Sequence, residues 1–198
     1  GLPPQLLMKT PFAAQCLSVA DLETLMPSRP VNAHKGTFGS LLVIAGSSGY
    51  TGAAMMAARG ALFSGTGLVK IAVQESLNSI FEQALWETVT VPLKEGAFGG
   101  FCTEGIRQMN EQIKADQAVV DGPGWGKEQG WVEVLKSLLP HAECPMVLDA
   151  DALNLLAGRP SLLKNRRAPV IITPHPGEMA RLTGKRVEDI NGNRLQTA

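Results

Sequence analysis

The feature that most constrains the fold is a regular alternation, from residue 40 onward, of short apolar runs with segments of helical periodicity. Runs such as "SLLVIAG" and "GLVKIAV" are continuously apolar, which is typical of strands buried on both faces of a sheet. Strands that alternate with helices form a mainly parallel sheet with helices packed on both sides. The sequence therefore predicts one α/β domain.

The pattern predicts the order of the elements. Six strands are expected, at "SLLVIAG", "GLVKIAV", "ETVTVPL", "QAVVDG", "PMVLDA" and "PVIIT". The intervening helices are expected at "TGAAMMAARGALFSG", "SLNSIFEQAL", "TEGIRQMNEQIKA", "GWVEVLKSLL", "ADALNLLAG" and "GEMARLTG". Residues 1–30 contain scattered prolines and one short helical segment, "VADLETLMP", and are predicted to be a linker or an N-terminal arm. The domain itself is assigned to residues 31–198.

The amino-acid composition limits the kinds of binding partner and the compartment that are expected for this chain. The chain has 18 basic and 18 acidic residues, so its net charge does not favour nucleic acid or an acidic membrane surface. We find neither an apolar stretch of membrane-spanning length nor a signal peptide, so a cytoplasmic protein is expected. Cys16, Cys102 and Cys144 lack metal-ligand spacing and are predicted to be buried thiols in a reducing compartment. No metal site is predicted.

Ligands of parallel sheets bind beyond the carboxyl ends of the strands, which directs attention to two glycine-rich loops. The segment "IAGSSGYTGAA" (residues 44–54) is either an anion-binding loop before a helix or a tight turn that lets the helix pack closely on the sheet. The segment "VVDGPGWGK" (residues 119–127) has three glycines after a strand, more than a plain turn needs. Its Trp125 could stack on a ligand ring or could pack in the core.

A third segment, "VLDADALNLL" (residues 147–156), places two carboxylates after a strand. Asp149 could orient a ligand hydroxyl or a magnesium-bound water, while Asp151 is placed to cap the next helix. The alternative is that both carboxylates make only cap and loop hydrogen bonds.

The fourth segment, "VIITPHPGEMARLTG" (residues 170–184), holds a histidine between two prolines at the end of a strand. Pro174 keeps Thr173 extended, and Glu178 lies in the first turn of the helix that follows. A rigid elbow lowers the entropy cost of presenting His175 to a ligand. The alternative is a purely structural histidine.

Taken in order, "HKGTFGSLLVIAGSSGYTGAAMMAARGALFSGTGLVKIAV", "DGPGWG", "VLDADALNLL" and "ITPHPGEMARLTG" closely resemble the ADP/ATP-dependent NAD(P)H-hydrate dehydratase family. The resemblance runs from about residue 34 to the end of the chain. It implies a ribokinase-like α/β/α fold of three layers. It also implies repair of the S epimer of NADHX or NADPHX, the hydrated forms of NADH and NADPH, with ADP or ATP and Mg²⁺ as cofactors.

The resemblance also implies a substrate pocket. Its walls are expected to be formed by Ala53, Gly122, Gly124, His175, Pro176, Gly177, Glu178, Met179, Ala180 and Arg181. Asp149, at the end of its strand, is a candidate for polar support on its position alone. The implied chemistry is phosphorylation of the hydrate's hydroxyl, followed by loss of phosphate, which restores the double bond of the nicotinamide ring.

The sequence departs from the family on the nucleotide side. After the segment that matches "ITPHPGEMARLTG", members carry a "KG"-type loop and a "GTGD"-like turn whose aspartate acts as general base, and neither follows that segment in this sequence. The only "GTG", at residues 65–67, leads into a strand and lacks the aspartate. We therefore expect the domain to be incomplete on its C-terminal side, the catalytic aspartate to lie beyond residue 198, and these 198 residues alone to be inactive. The resemblance further implies an upstream NAD(P)H-hydrate epimerase domain and a homotetramer.

Three alternatives remain at this point. One is a ribokinase-like small-molecule kinase, for example of a vitamin precursor. Another is a non-catalytic nucleotide-binding domain. An NAD-dependent oxidoreductase is disfavoured, because no acidic residue follows a regular glycine fingerprint at the expected distance.

Overall fold

The computed structural model describes residues 16–26 and 28–198, and a six-stranded, fully parallel sheet forms the centre of the fold. The strands are β1 (Ser40–Ile44), β2 (Leu68–Gln74), β3 (Val89–Leu93), β4 (Ala118–Asp121), β5 (Met146–Leu148) and β6 (Val170–Ile172). Their order across the sheet is β3-β2-β1-β4-β5-β6, and every neighbouring pair is parallel. The predicted strands and their orientation are confirmed.

The helices also follow the predicted order. They are α1 (Val19–Leu25), α2 (Thr51–Phe63), α3 (Asn78–Ala84), α4 (Thr103–Ile113), α5 (Gly130–His141), α6 (Asp151–Leu156), α7 (Ser161–Lys164), α8 (Pro176–Thr183), α9 (Val187–Gly192) and α10 (Arg194–Thr197). Short 3-10 helices cover Lys35–Phe38 and Glu75–Leu77. The sequence pattern did not predict α7 or α9, because four and six residues are too few to show a helical period.

Helices pack on both faces of the sheet and produce three layers. On one face, Leu42 and Ile44 of β1 pack in a core that includes Met109 of α4 and Leu135 of α5. The alternate residues of these strands, such as Val43 of β1 and Ile71 of β2, pack with α2 and α3 on the other face. Since successive side chains of a strand point to opposite faces, one apolar run supplies both cores.

On the α2 face, the cover becomes thinner toward β6. Val43, Val120, Val147 and Ile171 are paired in register across four adjacent strands. Val43 is fully buried, the next two are half-buried, and Ile171 is 61% exposed. This row therefore leaves an uncovered apolar surface beside the edge strand β6.

The N-terminal region agrees only in part with the prediction. The expected short helix is α1, which contains no buried residue, whereas residues 1–15 of the predicted arm lie outside the described residues.

The three cysteines differ in exposure. Cys16 is exposed, so the prediction of three buried thiols is wrong for it. Cys102 and Cys144 are half-buried, and none of the three is in a disulfide. No helix in the described ranges combines the length and hydrophobicity that crossing a bilayer requires.

Candidate functional site

The four segments singled out in the sequence lie at one edge of the sheet. They follow β1, β4, β5 and β6, which are adjacent and parallel. Neighbouring strands are about 4.8 Å apart, so the loop after β4 and the elbow after β6 leave the sheet roughly 10 Å from each other. This topology allows one ligand to reach both.

The loop after β1 packs directly against the glycine turn after β4. The Gly46 N–H donates to the Pro123 carbonyl (2.8 Å), and the Ser47 hydroxyl donates to the Gly124 carbonyl (2.9 Å). Gly124 has a φ of +71°, and a Cβ there would lie 2.9 Å from the Cβ of Ala53. The close approach therefore requires glycine at one position and a small residue at the other. Two predicted site residues are brought together here.

Trp125 in the same turn belongs to the core. Its side chain is fully buried and stacks on Trp131, with ring centroids 4.5 Å apart. Its Nε1–H donates to the Ile44 carbonyl (3.1 Å). The packing interpretation is confirmed, and stacking of this ring on a ligand is excluded by its burial.

The loop after β5 lies against the glycine turn and is tied to β6. Gly122 has a φ of +110° and a Cβ on it would overlap the carbonyl oxygen of Asp149. The Asp149 carboxylate accepts a hydrogen bond from the Thr173 hydroxyl (2.8 Å) at the end of β6. Ala150, between this aspartate and α6, has a positive φ of 50°, which is strained for a residue with a Cβ.

Asp151 does not cap α6, so that interpretation of the sequence is wrong. The cap position is held by Ala150, and no side chain caps this helix. The Asp151 carboxylate instead accepts a hydrogen bond from the Gly126 backbone N–H (2.9 Å). It therefore fixes the far end of the glycine turn, a contact between residues 25 positions apart.

Asn154 extends this contact to α8. Its Nδ2 donates to the Asp151 carboxylate (3.2 Å), and its Oδ1 accepts from the Nε–H of Arg181 (2.8 Å). A continuous hydrogen-bonded chain thus joins Gly126 to Arg181. Sequence reasoning missed Asn154. The available signal was its position three residues after Asp151 on a helix, where two side chains can meet.

The elbow after β6 is built around the start of α8. His175 occupies the N-cap position, and its Nδ1 accepts a hydrogen bond from the Gly177 N–H (3.0 Å). The Glu178 carboxylate accepts from the His175 backbone N–H (2.9 Å), which completes a reciprocal cap. The imidazole Nε2 lies 3.2 Å from the same carboxylate, yet the side chain of His175 is 63% exposed. His175 is therefore both a structural cap and accessible to a ligand.

The remaining predicted residues of α8 lie on different sides of the helix. Ala180 is buried, while Pro176 and Met179 are half-buried and line a cavity of about 330 Å³. The rest of its lining comes from the end of β6 and from residues of α9, α10 and the last position, and it includes neither Gly124 nor Ala53. This cavity is distinct from the space between the elbow and the glycine turn.

Asp121, at the end of β4, is fully buried. Within the described part of the chain neither of its carboxylate oxygens has a hydrogen-bond partner. Burial raises the pKa of this carboxyl group well above its ordinary value. Burial therefore favours the neutral form of this carboxyl group, which immediately precedes the glycine turn.

The chain was compared with known proteins. A sequence profile described as NAD(P)H-hydrate dehydratase matches residues 41–198. Over 198 residues the chain is 36% identical to the bifunctional NAD(P)H-hydrate repair enzyme of Moorella thermoacetica, covering 100% of this chain and 37% of that protein. It superposes with a TM-score of 0.70 and 31% identity on the ADP/ATP-dependent NAD(P)H-hydrate dehydratase of Bacillus subtilis co-crystallized with ATP/Mg²⁺.

That superposition covers 94% of this chain and 61% of the Bacillus protein. A ribokinase-like superfamily protein from Enterococcus faecalis superposes with a TM-score of 0.72 at 24% identity, covering 91% of this chain and 61% of its own. The predicted ribokinase-like, three-layer fold is confirmed. The chain spans just over a third of the length of the Moorella relative and about three fifths of the two solved structures.

Proposed function

Because the chain belongs to the NAD(P)H-hydrate dehydratase family, we propose that it forms the substrate-binding side of an ADP- or ATP-dependent dehydratase that converts the S epimers of NADHX and NADPHX back to NADH and NADPH. The observation that carries the proposal is the arrangement at one sheet edge. There the His175 elbow and the turn containing Gly124 face the same side, and the chain from Gly126 to Arg181 joins them.

In this proposal the residues on each side of the site contact a different part of the ligand. Gly124 and Ala53 let the turn after β4 and the start of α2 approach each other closely, since neither has a side chain beyond a Cβ, and so shape one wall of the proposed site. His175 offers an exposed imidazole, and Arg181 offers a guanidinium for the phosphates of the dinucleotide. Together these groups bind and orient the hydrated nicotinamide nucleotide.

The residues of this edge do not fit Mg²⁺. Asp121 is fully buried, and the carboxylates of Asp149 and Asp151 accept hydrogen bonds from Thr173 and from Gly126. In the ranges 16–26 and 28–198 no three His, Cys, Asp or Glu side chains are grouped so as to hold a metal ion. In the proposal, the residues of this edge therefore bind the substrate and not the metal ion.

The proposal for the whole enzyme includes three further points. Its partner activity is an NAD(P)H-hydrate epimerase, in keeping with the bifunctional Moorella relative. Its assembly is a homotetramer, and its compartment is the cytoplasm, which the three free cysteines favour.

The capping role of His175 can be separated from ligand binding. His175→Ala removes the cap and should lower stability by about 1 kcal/mol. His175→Asn keeps a preferred capping side chain and should retain most of that stability while losing the imidazole. We expect both variants to bind NADH several-fold more weakly in calorimetry, with melting temperatures that differ. If His175→Asn binds NADH as the unchanged chain does, the imidazole has no part in ligand binding.

The overall function is tested by adding the 198-residue chain to S-hydrated NADH with ADP or ATP and Mg²⁺ and following NADH absorbance. We expect calorimetric binding of the dinucleotide without turnover, because the "GTGD"-like turn is not among these residues. Regeneration of NADH would contradict the predicted inactivity. Phosphorylation of a hydroxymethylpyrimidine-type alcohol would favour the kinase alternative. Failure to bind any dinucleotide would overturn the proposed function.

A further inference from the structure

The guanidinium of Arg181 is held at one nitrogen and open at the other two. Its Nε–H donates to Asn154 Oδ1 (2.8 Å), and the residue is exposed. Over the described ranges, neither Nη1 nor Nη2 makes a hydrogen bond or an ion pair. A guanidinium has five N–H donors, so four remain for a ligand.

These open donors lie beside the start of α8. The Nη1 atom of Arg181 is 3.8 Å from the position that a Cβ on Gly177 would take, in the first turn of the helix. The N-terminal end of a helix carries partial positive charge and favours anions. A fixed cation and the helix dipole therefore act on the same place, and a phosphate suits both because it can accept two parallel N–H bonds from a guanidinium.

The orientation of Arg181 is set by Asn154, which it contacts, and through Asn154 by Asp151. Asn154 can accept from Arg181 only with its Oδ1 turned toward α8, and its Nδ2 then donates to the Asp151 carboxylate. Asp151 is itself held by the Gly126 N–H. Because the side-chain amide of Asn154 makes a hydrogen bond through both its oxygen and its nitrogen, it cannot flip without losing two hydrogen bonds. A long side chain that is ordered before binding loses less entropy when a ligand arrives.

We propose that Asp151 and Asn154 are positioning residues, which lock Arg181 so that its two terminal nitrogens bind a phosphate of the ligand at the start of α8. The inference rests on the proposed function, since it takes the ligand to be a dinucleotide with a pyrophosphate. It assigns the pyrophosphate to the α8 wall and leaves the nicotinamide ring to the side of Ala53 and Gly124.

The test is a double-mutant cycle on the 198-residue chain, with binding measured by calorimetry. The probes are NADH and reduced nicotinamide riboside, which lacks phosphate. We expect Arg181→Ala to weaken NADH binding about tenfold, as is typical for the loss of a charge-assisted hydrogen bond. Asn154→Ala should weaken it several-fold, and the double variant should bind no more weakly than Arg181→Ala alone. Binding of the riboside should stay unchanged in all three.

Asn110→Ala is the matched control. Asn110 is half-buried like Asn154 and donates to the Ser137 hydroxyl (2.8 Å), but it lies on α4. Asn110→Ala should lower the melting temperature by about as much as Asn154→Ala does and leave the affinity for NADH unchanged. This comparison separates positioning from a general loss of stability.

The outcomes are distinct. If Asn154→Ala weakens binding of NADH and of the riboside equally, Asn154 does not act through Arg181. The same follows if the effects of the two substitutions on NADH affinity simply add in the double variant. An unchanged Asn154→Ala affinity would overturn the inference while the proposed function stands. If the unaltered chain binds neither probe, the proposed function fails and the inference fails with it.

Discussion

Gly122→Ala is expected to destabilise this chain by about 3–5 kcal/mol, because it combines a strained backbone with an overlap in a packed loop. Gly122 has a φ of +110°, and a Cβ there would overlap the Asp149 carbonyl oxygen and lie 2.5 Å from the Cβ of Ala152. The neighbours are backbone and a short side chain, which cannot move aside easily. For a domain of this size the melting temperature should fall by roughly 10 °C, measured by circular dichroism.

Gly60→Ala is the control for the same chemical change. Gly60 lies in α2, and a Cβ there would meet nothing within 4 Å. Alanine in a helix interior is favoured over glycine by about 0.5–1 kcal/mol, so this variant should melt at an equal or higher temperature. A Gly122→Ala protein as stable as the Gly60→Ala protein would mean that the turn after β4 can relax, and that its geometry does not depend on glycine.

Asp121→Asn is expected to stabilise the chain at neutral and higher pH and to make no comparable difference near pH 4. Burial raises the pKa of Asp121 in the folded state well above the value of about 3.9 that it has when unfolded. Between these two pKa values the folded chain binds more protons than the unfolded chain. The free energy of unfolding therefore falls as pH rises, by about 1.4 kcal/mol for each pH unit in that interval.

The measurement is the melting temperature of the chain and of Asp121→Asn from pH 4 to pH 9, with the difference between them plotted against pH. Asp189 provides the control, since it is exposed and its hydrogen bond with Arg186 lowers its pKa. Asp189→Asn should make only a small difference that does not change between pH 4 and pH 9, because its lowered pKa places its titration below that range. A difference for Asp121→Asn that is the same at every pH would show that its carboxyl does not titrate in the folded chain.

The sequence was sufficient to predict the sheet and the edge at which the four candidate segments lie. Continuous apolar runs such as "SLLVIAG" identify buried strands, and helices between them require parallel pairing. Parallel pairing in turn brings the ends of β1, β4, β5 and β6 to one edge. The positions of Gly124 and the His175 elbow at that edge therefore followed from chain order alone.

The contacts between the loops could not be predicted in the same way. The hydrogen bond of Asp151 to Gly126 depends on how two loops 25 residues apart meet, and local pattern favoured the commoner cap. The burial of Trp125 on Trp131 likewise depends on the packing of α5 over the sheet. The spacing of Asn154 from Asp151 could have suggested their contact, but the hydrogen bond of Asn154 with Arg181 depends on α6 and α8 lying side by side.

The two edge strands of the sheet, β3 and β6, differ in how well they could pair with a further strand. The edge strand β3 contains Pro92, which has no N–H to donate to another strand. The free side of β6 belongs to Val170–Ile172, which has neither proline nor charge, and Ile171 extends the apolar surface next to it. Of the two edge strands described, β6 is therefore better suited than β3 to pair with a further strand.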